Sequence, residues 1–119
     1  MEERFSADLL APRQARRFVV GVLERWGVTH LVDDAAVVVS ELATNAILHA
    51  GSDFTVGVEA EADAVLISVT DYQPALPVAT EPPALSESGR GLALVASLAR
   101  GWGTEPVAGG KVVWAELAR

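Results

Sequence analysis

One long helix, predicted from Val32 to about Ala50, constrains the fold of this chain more than any other stretch. Most of its residues are apolar, so the helix must bury one face in a core. Glu41, Asn45 and His49 follow one another at intervals of four and therefore project from one side of that helix. A carboxylate, an amide and an imidazole beside an apolar face are costly to bury without partners. The three side chains therefore require an explanation.

The composition indicates one domain and excludes several classes of function. Half of the 119 residues are hydrophobic, and we predict a single domain over residues 1–119. The formal charge of −7 argues against binding to nucleic acid or to an anionic membrane surface. The chain has no cysteine, which excludes disulfides and thiolate zinc sites and fits a reducing cytosol. No apolar run reaches the roughly 18 residues of a membrane span, so we expect a soluble, cytoplasmic protein.

Hydrophobic periodicity predicts an α+β order along the chain. Besides the long helix, the predicted elements are a weak strand between Arg4 and Leu10, a helix from Ala11 to Trp26, strands Phe54–Ala60 and Ala64–Asp71, a helical run Ala93–Ala99, and a hairpin of Trp102–Val107 with Lys111–Leu117. The Pro-rich stretch from Tyr72 to Ser88 is predicted to be a long loop, of the kind that often forms a lid. Since helices and strands do not alternate, we predict a mixed sheet with helices on one face.

Glu41 and Asn45 suit a site for magnesium and phosphate. Magnesium prefers oxygen ligands and keeps several waters, and the amide oxygen of Asn45 supplies one such ligand. Glu41, one turn earlier, could act as a general base or orient a nucleophile. Two ordinary solvated positions remain an alternative for this pair, and a helix cap or a packed side chain for His49. A zinc site is disfavoured because His30 is the only other histidine.

Two later segments add to this pattern. In Gly89-Arg90-Gly91, glycines before a predicted helix let backbone N–H groups face an anion, and Arg90 adds charge. A plain helix-entry turn is the alternative. Asp71 ends an apolar strand and is either a turn residue or a hydrogen-bond acceptor for a ligand such as the amino group of adenine. In this order along the chain, the segments outline a nucleotide site.

The chain resembles the GHKL superfamily of histidine kinase-like ATPases, and within it the small anti-sigma-factor serine/threonine kinases of bacteria. The resemblance runs from about Ala11 to Leu117 and rests on four segments: Glu41–Ala46 with His49-Ala50, Val69–Asp71, Ser88–Val95, and Val113–Leu117. It implies a Bergerat fold, an α+β two-layer sandwich whose mixed, mostly antiparallel sheet carries helices on one face.

The resemblance also implies a function and a site. ATP and Mg²⁺ would bind between the helices and the lid, with Asn45 holding Mg²⁺, Glu41 as the catalytic base and Asp71 binding adenine. Gly89, Arg90, Gly91 and Leu92 would form the phosphate end. The implied partners are an anti-anti-sigma (STAS-type) protein, which is phosphorylated, and a sigma factor, which is sequestered. Arg13, Arg16 and Arg17 resemble the partner-binding segment, although a solvated basic face is an equal alternative. A homodimer is also implied.

Two departures from the family pattern support an alternative function. Asp71 is followed by Tyr72, Gln73 and Pro74, where the family carries glycines, and Val112 takes the place of a threonine expected beside Asp71. The alternative is a catalytically weak or inactive interaction module of the same fold, which binds a sigma factor or another regulator. A detached catalytic domain of a two-component histidine kinase is a third hypothesis, disfavoured because no phospho-accepting His helix accompanies it.

Overall fold

The computed structural model describes residues 1–72 and 92–119, and the described part forms one sheet with helices packed on it. In chain order the elements are β1 (Glu2–Phe5), α1 (Ala11–Arg25), a 3-10 turn (Thr29–Leu31), α2 (Val32–His49), β2 (Phe54–Ala60), β3 (Ala64–Asp71), α3 (residues 92–98), β4 (Gly101–Val107) and β5 (Gly110–Ala118). The α2 helix confirms the long helix predicted from Val32 to about Ala50.

The sheet has the order β1-β2-β3-β5-β4, and all four neighbouring pairs in the described chain are antiparallel. Alternate residues of β3 face the core, with Val65, Ile67 and Val69 buried. The intervening residues are only partly buried, so the helices cover one face of the sheet. The predicted α+β two-layer sandwich of the Bergerat type is therefore confirmed.

The core lies between the sheet and the two long helices. Leu23 of α1, Leu42 of α2 and Phe54 of β2 are fully buried in one continuous cluster. Burying a side chain of this size contributes about 1.5–3 kcal/mol. Val95 joins the same cluster, so α3 packs on the shared core. These contacts fix α2, and with it the polar residues of interest, against the sheet.

The helix ends follow the signals in the sequence. Pro12 stands in the first turn of α1, where its missing N–H breaks no helical hydrogen bond. Gly27 follows that helix with φ 74° and Gly51 follows α2 with φ 63°, a backbone conformation that side chains with a Cβ seldom adopt. Asp33 and Asp34 lie in the first turn of α2, where acidic groups stabilise the helix N-terminus.

The first strand is where the sequence prediction was wrong. A short strand was predicted between Arg4 and Leu10, whereas β1 spans Glu2–Phe5 and α1 follows after a short turn. Glu2 to Phe5 alternate too little in polarity to reveal a strand, and their pairing with β2 decides the structure. The phenyl ring of Phe5 contacts those of Phe18 and Phe54, which anchors this edge strand to the core.

The described helices were compared with the requirements for crossing a membrane. None of those in residues 1–72 and 92–119 combines the length and the apolar composition that a bilayer crossing requires.

Candidate functional site

The polar row on α2 contains two buried atoms without hydrogen-bond partners. The side-chain oxygen Oδ1 of Asn45 and the ring nitrogen Nε2 of His49 are inaccessible to solvent, and neither makes a hydrogen bond within the described structure. Glu41, one turn earlier, is only partly buried. A buried acceptor or donor without a partner costs about 1–3 kcal/mol. Water, an ion or a ligand can satisfy such atoms, so this face of α2 is a candidate binding site.

His49 differs from the structural alternative considered for it. That alternative was a cap or a packed, hydrogen-bonded side chain, whereas the Nε2 atom has no partner among the described residues. A ring nitrogen can donate or accept a hydrogen bond according to its protonation. His49 therefore shares with Asn45 the property that makes this face of α2 a candidate site.

Asp71 ends β3 and carries the most specific polar contacts of the site. Its side chain is only 4% exposed, and it is the single buried charged residue of the described chain. The ammonium Nζ of Lys111 lies 2.6 Å from its Oδ2 atom, and the backbone N–H of Lys111 donates to its Oδ1 at 3.3 Å. A buried carboxylate requires such a charged partner.

The neighbour of Asp71 on β5 was not predicted correctly. From the sequence, Val112 was predicted to lie beside Asp71, but the strand register pairs Asp71 with Lys111 and Val112 with Thr70. Because side chains alternate between the two faces of a sheet, Val112 points to the face opposite Asp71. The missing threonine is therefore not replaced by an apolar contact at Asp71, and a lysine stands there instead.

Gly110 allows β5 to approach Asp71 closely. A Cβ atom built on Gly110 would lie 2.0 Å from the backbone oxygen of Asp71 and 2.9 Å from its Oδ1 atom. No real side chain tolerates such distances, so any other residue here must displace one of the two strands. From the sequence alone, Gly110 lies in the turn between two predicted strands, and this role could not be predicted because the strand register was not known.

Topology brings the end of α2 and the end of β3 together. Residues 50–53 connect α2 to β2, whose first residue, Phe54, pairs with Asp71. The hydroxyl of Ser52 in this connection accepts a hydrogen bond from the backbone N–H of Tyr72, at 3.1 Å. Asn45, His49 and Asp71 therefore belong to the same end of the molecule.

Tyr72, immediately after Asp71, is held on the outer part of the sheet. Its hydroxyl is hydrogen-bonded to Thr55 on β2, and the guanidinium of Arg4 lies 4.4 Å from the centre of its ring. A cation over an aromatic face at this distance is attractive. The residue that replaces the expected glycine thus fixes the chain just beyond Asp71 to β1 and β2.

The arginines of α1 do not form one free basic face. Arg16 donates from Nη1 to the hydroxyl of Ser40 on α2, at 3.1 Å, and so joins the two helices. Arg13 is exposed, and Arg17 lines an open groove between α1 and β1. Of the three residues predicted to bind a partner, Arg13 and Arg17 remain available in this structure.

The predicted phosphate end lies largely outside the described residues. Gly89, Arg90 and Gly91, and the loop from Gln73 onward, are not described. Leu92 begins the described part of α3 and packs against the core. The assignment of these residues to the phosphates stays a prediction.

Comparison with known proteins identifies the family. A family model for the histidine kinase-like ATPase domain matches residues 5–117, nearly the whole chain. The chain therefore belongs to the histidine kinase-like ATPase family, and it is an ATP-binding domain of the GHKL type. A search of curated proteins found no significant match.

Proposed function

We propose that this protein is an ATP-dependent serine/threonine kinase that phosphorylates an anti-anti-sigma protein of the STAS type and sequesters a sigma factor. The proposal rests on the family and on one observation, the buried, unpaired Oδ1 atom of Asn45 one helical turn from Glu41. A kinase of this type needs an oxygen ligand for a metal and a nearby base, and these two residues supply both.

The residues present fit magnesium better than a protein-only metal site. Within the described residues, no cluster of three or more His, Asp or Glu side chains could hold a metal ion. Magnesium is commonly held by one or two protein oxygens together with phosphate oxygens and water, and the Oδ1 atom of Asn45 is an unused acceptor of the right kind. When bound, the ion would neutralise phosphate charge during transfer.

The roles of the other residues follow from their chemistry. Glu41 would accept the proton of the attacking serine or threonine hydroxyl. Asp71 would accept a hydrogen bond from the amino group of adenine, and Gly89, Arg90 and Gly91 would donate to the phosphates. Arg13 and Arg17 would contact the acidic surface of the partner protein, and we propose that the active form is a cytoplasmic homodimer.

Transfer of labelled γ-phosphate to a cognate anti-anti-sigma protein tests the kinase. We expect phosphorylation of a serine or threonine by the native protein, and a loss of at least about 100-fold in Glu41→Ala, the usual size of a general-base contribution. Glu24→Ala is the matched control, because Glu24 is exposed on α1, and it should retain full activity. Equal transfer by native protein and Glu41→Ala would refute the kinase proposal.

The ion pair of Asp71 favours a second candidate function. Because an ammonium already engages the carboxylate that should bind adenine, the domain could bind ATP weakly and act as an interaction module without turnover. Calorimetry with ATP and Mg²⁺ distinguishes the two functions. Micromolar binding that disappears in Asn45→Ala supports the kinase, whereas sigma-factor binding without measurable ATP binding supports the interaction module.

A further inference from the structure

Lys111 is the only lysine of the chain, and its ammonium contacts the carboxylate to which the proposed function assigns adenine. The distance from Nζ to Oδ2 is 2.6 Å, and the side chain of Lys111 is 37% exposed against 4% for Asp71. The contact is therefore a short, charge-assisted hydrogen bond that water shields only in part.

The contact between the ammonium and Asp71 depends on the side chain at position 111, whereas the pairing of the two strands does not. The pairing of β3 with β5 uses backbone groups, which any residue except proline would supply at this position. Gly110 brings the β5 backbone against Asp71 whatever side chain follows it. A neutral residue at position 111 would keep the strand pairing and remove only the ammonium.

The ammonium and adenine require the same acceptor. The exocyclic amino group of adenine donates hydrogen bonds, and an ionised carboxylate accepts them. A charged donor binds a carboxylate more strongly than a neutral amino group does. Adenine therefore meets a carboxylate whose Oδ2 atom and charge are already engaged by the ammonium, and its amino group competes with Lys111 for that acceptor.

Guanine presents a hydrogen-bond acceptor to Asp71 and Lys111 at the position where adenine presents a donor. It carries a carbonyl oxygen where adenine carries its amino group, and that oxygen accepts hydrogen bonds. The Lys111 ammonium is a donor for such an oxygen, whereas the Asp71 carboxylate repels it. The ammonium therefore opposes adenine and favours guanine at the same position.

We propose that Lys111 is a specificity-determining residue of the nucleotide site. It competes with the amino group of adenine for Asp71, so that it weakens the binding of adenine nucleotides and reduces their advantage over guanine nucleotides. This inference rests on the proposed role of Asp71 in binding adenine.

Calorimetric titration of Lys111→Met with adenosine, ATP and GTP tests the proposal. We expect adenosine and ATP to bind roughly three- to ten-fold more tightly than to the native protein, and GTP to bind no more tightly. An increase in ATP affinity would distinguish this proposal from a simple charge effect, because removing a cation near a triphosphate should otherwise weaken binding. Adenosine, which lacks phosphate, isolates the contribution of the base.

Three further variants control for charge and for folding. Arg119→Met removes one positive charge from an exposed residue whose guanidinium, in the described structure, is bonded only to the backbone oxygen of Glu61, and it should leave ATP affinity unchanged. Lys111→Arg retains the cation and should bind like the native protein. Lys111→Gln retains an uncharged donor and should bind with intermediate affinity. Thermal unfolding establishes that each variant is folded.

The single lysine allows a direct observation of the competition. Selective ¹⁵N labelling of lysine reports on this ammonium alone, and saturation with adenosine should move its signal to the position seen in Asp71→Asn. An unmoved signal at saturation, or unchanged or weaker adenosine binding in Lys111→Met, overturns the role of Lys111 while nucleotide binding stands. Absence of adenosine and ATP binding in native protein and variants overturns the proposed function as well.

Discussion

Asn45 and Asp71 present opposite situations at the scale of single residues. The Oδ1 atom of Asn45 is buried without a partner, whereas the carboxylate of Asp71 is buried against a charged one. The first arrangement favours binding of a ligand, because the ligand removes a cost already present in the free protein. The second opposes it, because a ligand must compete with an existing charged contact. The metal end and the base end of the site therefore contribute differently to affinity.

Gly110→Ala is expected to lower stability and to disturb the base end. The new Cβ would lie 2.0 Å from the backbone oxygen of Asp71, so β3 and β5 must separate locally, at a cost of about 1–3 kcal/mol. The midpoint of urea unfolding measures the loss. Gly21→Ala is the matched control, because Gly21 is inside α1 and a Cβ atom built on it would lie 3.7 Å from its nearest neighbour, the Nη1 atom of Arg25. It should be neutral or stabilising by about 0.5–1 kcal/mol, and an equal loss in both variants would contradict this explanation.

At the scale of elements, one face of α2 packs in the core and another carries the polar residues of the candidate site. One face is buried against the sheet and α1, and includes Val38, Leu42 and Ala46, while the polar row points toward the candidate site. The position of Asn45 therefore depends on the packing of the buried face of α2.

Leu42→Ala tests this dependence. Leu42 is 1% exposed, and its truncation should lower the free energy of unfolding by about 2–5 kcal/mol. Leu48→Ala, on the same helix but 69% exposed, should change it by less than about 0.5 kcal/mol. Denaturant titrations of both variants give the comparison. Similar values for the two would mean that α2 is not held by the face described.

The sequence allowed the elements to be predicted better than their register. Both long helices and the four later strands have strong periodicity and clear end signals, and the structure contains all of them. The first strand was misplaced because its four residues become a strand only by pairing with β2. The contact of Lys111 with Asp71 was missed because a shift of one residue exchanges the faces of a strand. The sequence also does not reveal that the Oδ1 atom of Asn45 and the Nε2 atom of His49 lack hydrogen-bond partners, because this depends on which residues surround them in the fold.

At the scale of the whole molecule, one ion-pair network joins three distant segments at the end of β3 remote from Asp71. Asp63, before β3, receives two hydrogen bonds of 3.2 Å from Arg100, whose Nε atom lies 3.4 Å from Glu116 on β5. The hydrogen bonds and the charge of the Arg100 guanidinium hold the pKa of the Asp63 carboxyl below its usual range. The network connects the turn between β2 and β3 to the two strands at the other edge of the sheet.

This network should make stability depend on pH. Since the pKa of Asp63 is lower in the folded chain, its contribution is fully present above about pH 4, the ordinary value, and is lost as pH falls through the lowered value. Asp63→Asn should therefore be less stable than native protein at pH 7 and equally stable in strong acid. Urea titrations across pH check this, with Asp53→Asn, which removes a single contact of 3.5 Å, as control. A difference that persists in acid would exclude the charge as its origin.

The pairing of β3 with β5 has a consequence for how this domain can diversify. Asp71 and Lys111 are forty positions apart in the chain yet adjacent in the sheet. The residues from Tyr72 to Gly110 therefore form one long connection whose two ends are held together by the pairing of β3 with β5. The entropy of closing such a connection grows only with the logarithm of its length, about 0.6 kcal/mol for each doubling. A change in the length of the connection from Gln73 to Gly91 should therefore cost the sheet little in closure entropy.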